Sequence, residues 1–155
     1  MFIIIALLVA VILFVVIITS SSDIEGIQAE LIEAGGEVIP DGTNVIFNNV
    51  IADLSDDISY DPATGEFTVT SPGVYIVNWW VAPDGAGAAI NISFTVAVDG
   101  VPYSTASSPI VSVQMGASAI IDITTVPAVI TLVNTTGDDV FIPDIPVQAG
   151  IVIYK

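Results

Sequence analysis

After Val38 the chain alternates short apolar, β-branched runs with turn residues about every 8–12 positions, the pattern of an all-β sandwich or jelly roll. The runs predict strands at Asn44–Phe47, Ile58–Tyr60, Glu66–Thr70, Gly73–Ala82, Ala89–Val98, Tyr103–Thr105, Ile110–Gln114, Ala117–Thr124, Val129–Asn134, Val140–Ile142 and Val147–Tyr154. The breaks between them have local causes. In Asp61-Pro62-Ala63-Thr64-Gly65 the proline presets φ early in a type I turn, and the glycine takes the positive φ that closes a hairpin. Asp99-Gly100, between Val98 and Val101, predicts a type I′ hairpin. Ser71-Pro72-Gly73 and Thr136-Gly137-Asp138 mark further turns. No helix longer than two turns fits the pattern after Gly36.

Two stretches depart from alternation. The first is Phe2 to Ile18, apolar throughout, with no Gly, Pro or charge. As a helix it spans about 25 Å, against about 30 Å for a bilayer core. Three readings compete. A cleaved signal peptide would have a basic start and a small-x-small cleavage site, and both are lacking here. A membrane anchor fits the length but lacks a basic flank. An assembly element buried among copies of the chain fits the ten β-branched residues of these 17, with Phe2, Ile5, Leu8, Ile12, Val15 and Ile18 as coupling positions. The second stretch is Val74–Trp80, VYIVNWW, apolar on nearly both faces. A strand of that kind is covered on both sides, and a two-layer sandwich covers only one. A subunit interface is the natural second cover.

Between them, Asp23–Glu37 reads as a connector. Ile24, Ile27, Leu31 and Ile32 fall near helical spacing, whereas Ile27, Ala29 and Leu31 alternate as a strand does, and the strand is favoured. The expected organisation is a hydrophobic segment over 1–22, the connector over 23–37 and a jelly-roll domain over 38–155.

Composition removes whole classes of function. Apolar residues make up 54% of the 155 and charged residues 12%, so the chain has much surface to hide. Its net charge is −16, with one basic residue, Lys155. Nucleic acid is excluded as a direct partner, because no cations are present to displace phosphate counterions. An anionic lipid surface would repel the chain, so any membrane contact runs through residues 2–18. With no Cys and no His, there are no disulfides, no ordinary zinc site and no Ser–His–Asp or Cys–His catalysis. Carboxylate pairs remain, but among 17 acidic residues some pair always meets a catalytic spacing, so the spacing carries no information. The chain is read as a non-enzyme without cofactor. Calcium has only the loop pairs Asp56-Asp57 and Asp138-Asp139 to recommend it, and neither matches an EF-hand. Asn91-Ile92-Ser93 and Asn134-Thr135-Thr136 match the N-glycosylation pattern, which is frequent by chance.

Asn44 to Trp80, NVIFNNVIADLSDDISYDPATGEFTVTSPGVYIVNWW, resembles the C-terminal domain of bacterial collagen-like spore-surface (exosporium) glycoproteins, which belong to the complement-type and TNF-like jelly rolls. The resemblance continues through Val98–Gly100 and Thr131–Ile142 to a last strand near Tyr154. It implies a ten-stranded jelly roll that forms homotrimers through an apolar, aromatic interface, with Tyr75, Trp79, Trp80, Phe94, Phe141 and Tyr154 in core or interface. Such relatives carry a Gly-X-Y stalk before the domain, whereas this chain carries the run 2–18.

Two functions follow as expectations. One is a structural subunit of an extracellular or spore-surface appendage, a homotrimer that polymerises through its hydrophobic segment. The other is a membrane-anchored trimeric adhesin that binds an unspecified glycan or receptor through loops at Pro83–Ala88 and Val101–Ser108. A phage fibre tip would share the fold.

Overall fold

Strand parity decides which side of each run is buried. In Gly73–Val81 the odd residues Tyr75, Val77, Trp79 and Val81 are buried, and the even ones between them are not. The computed structural model describes residues 24–89, 91–109 and 112–155, so the coupling positions Phe2, Ile5, Leu8, Ile12, Val15 and Ile18 lie outside the described residues. The described elements are all strands: β1 Gly26–Ile32, β2 Val38–Ile39, β3 Asn49–Asp53, β4 Ile58–Asp61, β5 Glu66–Val69, β6 Gly73–Val81, β7 Ile92–Val98, β8 Val101–Ser108, β9 Met115–Ile123, β10 Ala128–Asn134, β11 Val140–Phe141 and β12 Val147–Tyr154. No described helix is long and apolar enough to cross a membrane.

Ten of these strands form two five-stranded sheets, ordered β3-β1-β12-β6-β9 and β4-β5-β10-β7-β8, and β11 and β2 make a small third ladder. Every ladder is antiparallel. The inner faces enclose one core, in which Phe47, Phe67, Tyr75, Phe94, Ile92, Ile121, Ile130 and Leu132 are fully buried. Trp79 packs on Phe94 at 6.4 Å between ring centroids, and Tyr60 stacks on Phe67 at 4.4 Å.

The turns follow their local chemistry. Asp99 and Gly100 take φ of 50° and 77°, as a type I′ hairpin requires. Gly65 takes φ of 73°, and its N–H donates to the Asp61 carbonyl at 2.8 Å. Several strand limits differ: β2 is additional, β8 runs over Val101–Ser108 where Tyr103–Thr105 was expected, and Ala89 and Asn91 lie outside β7. The strand favoured for the connector is present as Gly26–Ile32, between β3 and β12. Asn44–Phe47 is no strand beyond a bridge from Asn44 to Val133; Val45 and Phe47 are core residues instead. Asn49–Asp53 is an additional edge strand. Residues 112–114 are not strand, and β9 begins at Met115.

The Tyr60 hydroxyl ties the 44–48 segment down. It accepts from Phe47 N at 2.7 Å and donates to Phe47 O at 2.9 Å. Burial pushes its pKa up to about 12, with the Phe47 backbone opposing and Asp61 adding. The contribution is therefore complete below the unfolded value of about 10 and declines as pH rises through about 12. Tyr60→Phe strips partners from both backbone groups and is expected to lower stability by about 2 kcal/mol. Denaturant unfolding at fixed protein concentration measures this; an unchanged midpoint would show that the hydroxyl holds nothing.

Candidate functional site: the outer face of the first sheet

The outer face of the sheet β3-β1-β12-β6-β9 is assembled by register, row upon row. One row reads Gly26, Tyr154, Ile76, Ile120 across β1, β12, β6 and β9. The next reads Ala52, Gln28, Val152, Asn78, Ser118, starting from β3. The third reads Glu30, Gly150, Trp80, Gly116. Glu30 is the only charged residue in these rows, although the chain carries −16.

The glycines of the third row make room for Trp80. A Cβ on Gly150 would stand 2.6 Å from the indole Nε1, and one on Gly116 would stand 3.1 Å from the Trp80 Cβ. The ring therefore lies over the bare backbone of β12 at Gly150, while Gly116 lets β9 approach the β6 backbone at Trp79 and Trp80. The large apolar groups collect at opposite margins of the molecule. On the β1–β3 side, Ile24 and Leu54 are 70% and 69% exposed and border a groove of about 390 Å³ with Ile27, Val152 and Tyr154. On the other side, Ile120 of β9 is 75% exposed, and the neighbouring β8 carries exposed Val101 and Tyr103. There the two sheets meet, and Ser104 Oγ donates to Ser118 O at 3.3 Å.

The first described residues lie beside the last at this groove. Lys155 N donates to Glu25 O at 2.9 Å, which sets Glu25 beside the last residue. Lys155 Nζ donates to Ser71 Oγ at 2.8 Å, lies 3.8 Å from Asp57 Oδ2 and sits over the Tyr75 ring.

On the outer face of the second sheet Thr95 Oγ1 bonds Thr105 and Thr135 at 2.8 and 2.9 Å, and Ser93 bonds Ser107 at 2.9 Å. Val101–Ser108, expected as a binding loop, is strand β8. Pro83–Ala88 is a loop, held to its neighbours by Asp84 N to Phe141 O at 2.9 Å and Ala88 N to Asp138 Oδ2 at 2.5 Å.

Asp138 is a loop anchor in this arrangement. The Ala88 N–H first, then that of Asp139, holds its carboxyl below the usual carboxylate range. A lowered acid contributes above its unfolded pKa of about 4 and loses that contribution as pH falls through the folded value. The Ala88 amide resonance is expected to keep its position until pH drops below the ordinary carboxylate range; titration near the ordinary value would refute the anchor. Among described residues no cluster of three acidic groups is placed to hold a metal. Asn134 is fully buried, its Nδ2 bonded to Ile39 O and Asp138 O, so it cannot carry a glycan on the folded domain. Asn91 is exposed.

Of the six aromatic residues singled out from the sequence, Tyr75, Trp79 and Phe94 are core. Trp80 and Tyr154 lie half-buried on the outer face. Phe141 is 45% exposed at the loop end, paired with Val38. Sequence reasoning missed Gln28, Ser118, Gly116 and Gly150, which belong to the face only through pairing.

This strand order and sheet pairing decide the fold. The fold is a jelly roll similar to those of complement and TNF-like domains. The structure is similar to the globular domain of zebrafish complement 1qA, with TM-score 0.59, 16% identity and coverage of 85% of this chain and 95% of that one. It is similar to murine APRIL, with TM-score 0.64, 7% identity and coverage of 86% and 99%. It is likewise similar to Eiger TNF from S. frugiperda, with TM-score 0.61, 13% identity and coverage of 85% and 92%. No protein-family model and no curated protein sequence matches the chain.

Proposed function

We propose that this chain is a structural subunit of an extracellular appendage at a cell or spore surface. Its jelly rolls form homotrimers, and the run Phe2–Ile18 couples one trimer to the next into a filament. The observation that carries the reading is the outer face of the first sheet, whose three central rows carry one charge, Glu30, with Asp122 beyond them, on a chain of −16. Two copies so charged repel over most of their surface and can approach closely only where charge is missing. The apolar margins differ: Val101, Tyr103 and Ile120 on one side, Ile24, Leu54 and Tyr154 on the other. A contact of one margin with the other is heterologous, and a heterologous contact that closes makes a ring. The resemblance to trimeric spore-surface domains supports three members. The role is assembly and display, with no substrate.

Trimerisation gathers three copies of the run Phe2–Ile18 at one end, because each departs beside Glu25 and Lys155. Insertion into the next trimer propagates without closure and yields a filament. Negative-stain electron microscopy of the full chain, purified without detergent, tests this. Thin filaments with a regular axial repeat are expected. Rosettes that detergent disperses into single trimers would instead make residues 2–18 a membrane anchor and the domain an adhesive head.

A further inference from the structure

We propose that the polar row Gln28–Asn78–Ser118 sets the register between neighbouring copies, with the Gln28 amide of one jelly roll pairing with the Asn78–Ser118 couple of the next. This rests on the trimer reading above and names the residues that make it specific.

In the single chain Ser118 Oγ donates to Asn78 Oδ1 at 2.6 Å. That bond leaves the Asn78 amide N–H groups unused, and among the described residues the Gln28 side chain has no hydrogen-bond partner. Exposed to water, such amides need nothing. Under a neighbouring subunit they lose water and must find partners, since a buried unpaired amide is strongly unfavourable. The face supplies the answer at one level. An apolar row, Tyr154–Ile76–Ile120, lies on one side of the polar row, and the Trp80 row lies on the other. A three-fold axis running along the strands moves each row to the same height on the next copy. Polar then meets polar, and the β9 margin of one copy, carrying Ser118, reaches the β1 strand of the next, carrying Gln28. A slip along the axis would bury the amides against Ile76 or Ile120. A lone polar position inside an apolar coiled-coil seam fixes register and number in the same way.

The chain has no cysteine, so cross-linking reports this contact without background. Within one sheet Gln28 and Ser118 are separated by Val152 and Asn78 on intervening strands, or about 14 Å at the usual strand spacing, too far for a disulfide inside one chain. The full chain carrying Gln28→Cys and Ser118→Cys, oxidised in mild detergent, is expected to run on a non-reducing gel as a covalent trimer. Its yield should exceed that of either single variant by at least tenfold. Native masses are read with Val11→Asp also present to block polymerisation, and there Asn78→Leu is expected to broaden the single native mass into several oligomeric sizes. A trimeric native mass with no covalent trimer, or Asn78→Leu that stays uniformly trimeric, overturns the register role and leaves the trimer standing. A monomeric native mass for the chain carrying Val11→Asp alone overturns the trimer reading itself, and the register role with it.

Discussion

Val11→Asp is expected to abolish the proposed filaments while leaving the jelly roll folded and self-associated. The substitution sits near the middle of the run Phe2–Ile18 and more than ten residues before β1 begins at Gly26. A carboxylate at the centre of an apolar helix costs about 3 kcal/mol even where the medium can adapt. Under the proposed architecture three copies enter each joint, so the cost triples to about 9 kcal/mol, more than six powers of ten in the joint's association constant. No Lys, Arg or His lies nearby to pair with the new charge. Electron microscopy and sedimentation of the full chain should show the polymer replaced by single trimers. Thermal unfolding of the domain should not move. Filaments of normal length from this variant would disprove the coupling role of residues 2–18. Ser22→Asp, beyond the run, is the control and should polymerise normally.

Phe94→Ala lowers the stability of the domain by about 3–5 kcal/mol, the range for a buried phenylalanine cut to alanine. Phe94 is fully buried on β7 and meets Trp79 of the opposite sheet, so its loss opens a cavity between the sheets. The antiparallel ladders on either side hold the sheets in place and limit collapse into the void. A domain of this size has only about 5–15 kcal/mol in total. The unfolding temperature is expected to fall by more than about 10 °C at fixed protein concentration. A shift of a degree or two would mean that the sheets close over the gap. The control is Thr105→Ala on the exposed side of β8, which removes one member of the hydroxyl ladder. It should be worth about 1 kcal/mol.

What the sequence by itself determined is whatever depends on near neighbours. The positive φ of Asp99 and Gly100 and the turn at Asp61–Gly65 follow from the residues at those places, and both are present. The two-sided apolarity of VYIVNWW was legible as a strand that needs two covers, and β6 lies inside a sheet with a core on one face and an uncharged row on the other. The absence of His and Cys restricts chemistry whatever the fold.

Tertiary structure decided the rest. Asn49–Asp53 carries Val50 and Ile51 exposed side by side on an edge, so no alternation announces the strand. Asn44–Phe47 alternates like a strand, yet it is held by the Tyr60 hydroxyl and a single bridge. Tyr75, Trp79 and Trp80 are equal as apolar letters, and only the placement of the second sheet sends the first two inward and the third outward. The rows Gln28–Asn78–Ser118 and Gly150–Trp80–Gly116 join residues from β1, β6, β9 and β12, far apart along the chain. Periodicity encodes which residues share a face of one strand, through the local alternation of the backbone. It does not encode which strands lie side by side or in what register, because those are set by the packing of the whole core.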